Sequence, residues 1–219
     1  MGSLDPQDNG AITKPDTGED DITLPEPGYK MEPLVWTNSK YPEREQWAQY
    51  IMKLALNDWN TLLQGAEDMN QFCPNYDRLD NNQRANVWAQ LIAAMTKFES
   101  NHNPLARMHE TTMGTDPVTG GPVYSEGLLQ LSYQDTRGWK HCDFDWEADK
   151  NLSSTSPKKT ILNPYRNLYC GVGIMAKMVA KNGTIIIGPG AYWSVIKSNS
   201  KYQKIDQITA MVKSLSICK

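Results

Sequence analysis

Glu99 is the residue in this chain whose position calls for chemistry. Residues 88, 92, 95 and 99 are spaced four, three and four apart, so they share one face of a helix. Three of them are Trp88, Ile92 and Met95, and the fourth is a carboxylate just before Asn101-His102-Asn103-Pro104 stops the helix. A carboxylate set into an apolar stripe is desolvated; with no cation beside it, its neutral form is favoured and its pKa rises. A carboxylic acid that stays protonated near neutral pH can deliver a proton to a poor leaving group, and a glycosidic oxygen is such a group. The same pattern is also compatible with a glutamate that curls into solvent at a helix end.

Three stretches around Glu99 sharpen the reading: Phe98-Glu99-Ser100, Asn103-Pro104, and Ser125-Glu126-Gly127-Leu128-Leu129-Gln130-Leu131. Asn163-Pro164 with Asn167 and the segment Ala191-Tyr192-Trp193 follow in order. Over roughly residues 85–195 this resembles the soluble lytic transglycosylase family, whose lysozyme-like superfamily includes the goose-type lysozymes. Its pattern is Glu-Ser at a helix end, then Gly-Leu-Met-Gln at a helix start, then Ala-Tyr-Asn. Leu129 stands here in place of the Met, and Trp193 in place of the Asn.

The resemblance implies cleavage of the β-1,4 bond between N-acetylmuramic acid and (N-acetyl)glucosamine in peptidoglycan strands, with Glu99 as general acid and then base. It implies that Ser100 orients the sugar at the scissile bond, that Gln130 and the backbone around Leu129 hold neighbouring sugars, and that Tyr192 lies close to Glu99 and tunes it. A hydrolase must place a water opposite the acid, and inverting enzymes hold a second carboxylate for this; a lytic transglycosylase uses the muramic hydroxyl instead. Glu110, Asp116 and Glu126 are the candidates, and Glu126 is taken first as the nearest to a family motif. A Glu126 facing the cleft would also attract a glucosamine ammonium. Trp193 either stacks on a sugar or fills core. The alternative from another class is a non-catalytic wall-glycan binder, with Trp139, Trp146, Tyr165 and Tyr192 lining a groove.

The elements that must position these residues are mostly helical, in an α+β lysozyme-like arrangement with a small β-hairpin lobe. Helices are expected over about 41–65 and 82–100, from Gly127 to residue 138, from Asn163-Pro164 to Asn182-Gly183, and in two pieces over about 190–198 and 202–216. Residues 105–125, with Asp116-Pro117 and Gly120-Gly121-Pro122, suggest a hairpin or irregular lobe. Residues 140–162 are read as an irregular insertion. Gly171 and Gly173 lie inside a helix pattern and are expected to permit close packing, not to cradle a nucleotide.

Composition bounds the rest. Of 219 residues, 39% are apolar and seven are Trp, enough for one packed domain. Residues 1–33 carry eight acids and two bases, net −6, leaving +3 on the remainder. That composition predicts a disordered acidic tail or linker over 1–33 and a folded domain over 34–219. The body lacks the basic runs of a nucleic-acid binder and any apolar run of membrane-spanning length. No metal or cofactor is expected: His102, His109 and His141 are dispersed, and no GxSxG turn occurs. The four cysteines, Cys73, Cys142, Cys170 and Cys218, allow three pairings. Cys142–Cys170 with Cys73–Cys218 is preferred, the first closing the insertion and the second tying down the C-terminus; four reduced thiols in a cytosolic protein are the alternative. Disulfides would place a monomer in an exported setting, with no signal peptide visible behind Met1-Gly2-Ser3.

Overall fold

The computed structural model describes residues 28–219. The seven α-helices are α1 (Glu43–Leu56), α2 (Met69–Phe72), α3 (Asn81–Glu99), α4 (Asp135–Gly138), α5 (Trp146–Asp149), α6 (Pro164–Asn182) and α7 (Ile205–Lys213). The strands β1 (Arg107–His109) and β2 (Tyr124–Glu126) form one antiparallel hairpin. The fold is therefore mostly α with a small β-hairpin, as the periodicity implied. No described helix is long and apolar enough to cross a membrane.

α3 is the axis. Asp80 and Gln83 close a reciprocal capping box at its start. Residues from Ala85 to Thr96 are buried all round, because α1 packs on one side and α7 on another. Its polar residues are spent on holding chain: Gln90 accepts from the Val35 N–H at 2.9 Å and donates to Met211 O at 2.7 Å. Asn86 accepts from Tyr29 Oη and from the Glu32 N–H. Glu32 in turn accepts from the Ser216 and Ile217 backbone N–H groups and from the Ser216 hydroxyl. The chain is thus already fixed to the body at Tyr29, ahead of the 33/34 boundary read from composition. The rest of the expected acidic tail, residues 1–27, lies outside the described residues.

α6 begins as its sequence dictates. Asn163 caps the N–H groups of Tyr165 and Arg166, Pro164 occupies the first turn, and Gly183 (φ +75°) ends the helix in the left-handed region. Both preferred disulfides are present, Cys73–Cys218 and Cys142–Cys170.

Three expected helices differ, the piece over about 190–198 being no more than a 3₁₀ turn at Ser194–Ile196. The first stops at Leu56, where Asn57 turns its amide back onto Lys53 O, and continues as a 3₁₀ turn over Asn60–Gln64. Gly127–Gln130 does not start a helix at all. It is a tight loop closed by paired hydrogen bonds between Glu126 and Leu131, with Gly127 at φ +81° and Gln130 at φ +51°. Helix formation loses there because side chains from elsewhere claim the loop's backbone groups, as described below.

Gly171 and Gly173 do let α6 approach its neighbours. A β-carbon at 173 would lie 2.3 Å from His141 Nε2 and 2.6 Å from Trp59 Cζ2, atoms of rigid rings; one at 171 would meet only the end of the Leu129 side chain. Gly173→Ala should therefore destabilise the fold by about 1–3 kcal/mol, the range for overpacking. Gly171→Ala should cost less, and urea unfolding of the two variants would rank them.

Candidate active site

Glu99 is the last residue of α3, on the face that carries the fully buried Trp88, Ile92 and Met95. The helix stops there because Asn101 (φ 52°) and His102 (φ 61°) both turn left-handed, a region in which Asn and His are enriched. Thr96 O collects the N–H groups of Ser100 and His102, and the Thr96 hydroxyl meets His102 Nδ1 at 2.8 Å. Trp36 packs edge-on to His102. Burial, with Arg44 and Lys97 nearby, pushes His102 down to about 4, so it is a neutral structural residue.

The Glu99 side chain is half-buried and accepts no hydrogen bond or ion pair from a described residue. Desolvation raises its pKa to about 8, with the charge of Glu110 adding to the shift. Glu99 is consequently a carboxylic acid at neutral pH. Glu110 follows β1. Its Oε1 accepts from the Ser125 hydroxyl at 2.6 Å, which fixes the carboxylate's direction. Tyr192 completes the group. Its hydroxyl donates to Asp135 Oδ2 at 2.5 Å, and the negative charges of Asp135, Glu99 and Glu110 join burial in raising its pKa well above the ordinary value.

The hairpin's parity decides which acid joins Glu99. Side chains alternate across a strand. Arg107 pairs with Glu126 and His109 with Tyr124 on one face, while Met108, Ser125 and Glu110 belong to the other. Glu126 therefore does not present a free charge beside Glu99. It is buried, with Lys159 Nζ at 2.7 Å and Arg107 Nε at 3.6 Å. The expectation that it attracts an ammonium group fails, because two cations already share it. Asp116 is spent as well, accepting from the N–H groups of Val118, Thr119 and Gln134. Glu110 is the acid that sequence proximity to a motif passed over; the alternation of the hairpin was the signal that could have found it.

The remaining expected sugar contacts serve the loop instead. The Ser100 hydroxyl donates to Leu128 O at 2.9 Å. Leu129 is fully buried; its N–H goes to Asn167 Oδ1, and its carbonyl accepts from Trp193 Nε1 at 2.9 Å. Gln130 Nε2 donates to Gly127 O at 2.9 Å. Trp193 is 2% exposed, so it fills core and does not stack on a sugar. Of the six expected residues, Glu99 and Tyr192 come together, and Ser100, Leu129, Gln130 and Glu126 build the support. His141, Cys142 and Cys170 lie close enough to hold a metal, but both thiols are consumed by their disulfide.

No protein-family model matches the chain, and neither does a curated protein. Among solved structures, the chain is similar to wild-type Bd0314 DslA (form 2): 27% identity, TM-score 0.70, covering 87% of this chain and 100% of that one. Two glutamate-to-glutamine mutants of DslA match equally, at 27% identity with TM-scores of 0.69 and 0.68 over the same coverage.

The raised pKa of Glu99 fixes the sign of a pH effect on stability. Its folded-state pKa lies above the unfolded value of 4.5. The carboxyl is therefore without penalty below pH 4.5, and it costs stability progressively as pH rises to about 8. Glu99→Gln should raise Tm by at least about 2 °C at pH 9 and leave it nearly unchanged at pH 4, measured by thermal unfolding at the two pH values.

Proposed function

We propose that this chain is an exported glycosidase that cleaves the β-1,4 bonds of peptidoglycan glycan strands. Glu99 protonates the leaving sugar oxygen, and Glu110 directs the attacking water. The observation that carries this reading is the state of Glu99: a half-buried carboxyl with no bonding partner, held protonated to about pH 8 by desolvation. Cleaving a glycosidic bond requires that species, and a passive carbohydrate binder has no use for it.

Glu110 favours hydrolysis over intramolecular attack. An oxocarbenium-like centre forms as the leaving oxygen takes the Glu99 proton. A carboxylate aimed by Ser125 can then accept a proton from water as it attacks. Tyr192, tied to Asp135, stands by the two acids as a neutral phenol. DslA supplies separate support: the two glutamates replaced in its mutants stand eleven positions apart, the same separation as Glu99 and Glu110. The two disulfides fit work outside a reducing compartment.

Purified sacculi provide the test. Glu99→Gln should lose at least about a hundredfold in the rate of turbidity loss while staying folded, and Glu110→Gln should lose a comparable factor. Mass spectrometry of the soluble products should find reducing-end muramic acid; anhydromuramic acid would remove Glu110 from the reaction. The wild-type rate should fall as pH rises through about 8, as Glu99 gives up its proton.

A further inference from the structure

The face of the hairpin turned away from Glu110 borders a half-open cavity of about 160 Å³. Among the residues that line it are Arg107, Tyr124, Tyr133 and Trp146, together with the buried pair Lys159 and Glu126. The cavity belongs to neither Glu99 nor Tyr192, and nothing in the proposed reaction uses it.

Three features define what it could hold. The first is size: an engineered apolar cavity of about 150 Å³ accommodates benzene, so this one takes a group of that size, too small for a disaccharide. The second is an aromatic part of its wall, three rings from Tyr124, Tyr133 and Trp146, with Trp146 edge-on to Tyr133. The third is an underused cation. The Glu126 carboxylate is taken at 2.7 Å by Lys159, which is 4% exposed, and Arg107 reaches it only through Nε at 3.6 Å. The terminal nitrogens of Arg107 make no hydrogen bond to a described residue. The guanidinium carbon instead stands over the Tyr124 ring, 3.2 Å from its centroid, and the side chain stays partly open to solvent. Stacking leaves the edge of the fork free, and that edge matches a carboxylate through two parallel N–H···O bonds. Asp116, the other acid on the wall, has its oxygens engaged by three backbone N–H groups.

We propose that this cavity is a binding site for the carboxylate end of a short peptide, with Arg107 clasping the carboxylate and the terminal side chain lodged against Trp146 and Tyr133. This rests on the peptidoglycan reading for its choice of peptide, the stem carried by each muramic acid. The path is short enough. A stem of four or five residues spans about 13–18 Å when extended, at roughly 3.3–3.6 Å per residue. Passing around β1, whose three residues are all exposed, requires roughly the 10 Å thickness of a sheet layer. The hairpin would then divide the substrate, with sugar on the Glu110 face and peptide on the Arg107 face.

Binding is tested apart from catalysis, on Glu99→Gln protein, by following the Trp146 indole N–H resonance while adding N-acetyl-D-alanyl-D-alanine or its C-terminal amide. The free carboxylate should shift that resonance saturably, and the amide should bind at least about tenfold more weakly. Arg107→Gln should abolish the difference, and Arg107→Lys should restore only part of it, since it keeps the charge without the fork. Equal binding of acid and amide overturns the site. So does a shift that acetate or inorganic phosphate reproduces at the same concentration, which would leave only a general anion effect. Because the amide comparison needs no substitution in the cavity, a folding defect in Arg107→Gln cannot disguise the outcome. Failure here with sacculi still cleared by the wild-type chain removes the peptide site alone; failure to clear sacculi removes the glycosidase reading.

Discussion

The architecture turns on the side chain of Asn167, a fully buried amide on α6 whose donor nitrogen and acceptor oxygen are both engaged. Its Nδ2 donates to Glu126 O and Ile161 O, and its Oδ1 accepts from the Leu129 N–H. No space remains: a β-carbon on Gly127 would sit 2.3 Å from Nδ2. This one amide joins α6, the end of β2 and the loop that follows. Ser100 then ties the same loop to the end of α3, and Trp193 ties it to the C-terminal segment. Four parts of the chain far apart in sequence meet at this loop. Satisfying buried polar groups this completely specifies one arrangement, because a partial set would cost several kcal/mol at each unpaired group.

Two acids on one hairpin meet opposite fates, which illustrates how environment assigns chemistry. Glu126 is buried with cations and behaves as a structural ion; removing one member of such a pair typically costs about 3–5 kcal/mol. Glu110, on the other face, has only a hydroxyl donor and influences Glu99 through space. A buried carboxyl against apolar neighbours and a fixed carboxylate beside it are a general solution for acid and base work at one pH.

Much of this was readable in the residues. The apolar spacing at 88, 92 and 95 located the α3 face that desolvates Glu99, and Asn163-Pro164 located the start of α6; of the three cysteine pairings that the sequence left open, the preferred one is present. What periodicity could not show was the loop at 127–130. Its apolar residues satisfy a helical pattern, yet Asn167, Ser100 and Trp193, up to about sixty residues away, decide its backbone. The same blindness favoured Glu126 over Glu110: closeness along the chain was weighed where the two-residue alternation of β1 and β2 was the governing geometry. Trp193 shows the limit from the other side. An indole where the resembled pattern has an amide left two readings open, a sugar platform or core; it supplies one N–H donor to Leu129 O and fills the core.

The strap that Glu32 and Tyr29 make with α3 has a practical corollary. Asn86, where Tyr29 and the Glu32 amide dock, precedes Glu99 by thirteen residues on a single helix. At 1.5 Å per residue that is about 20 Å along the axis. A dye or tether attached at Gly28, next to the docked Tyr29, would therefore sit near the start of the central rod, well away from the acid pair at its end.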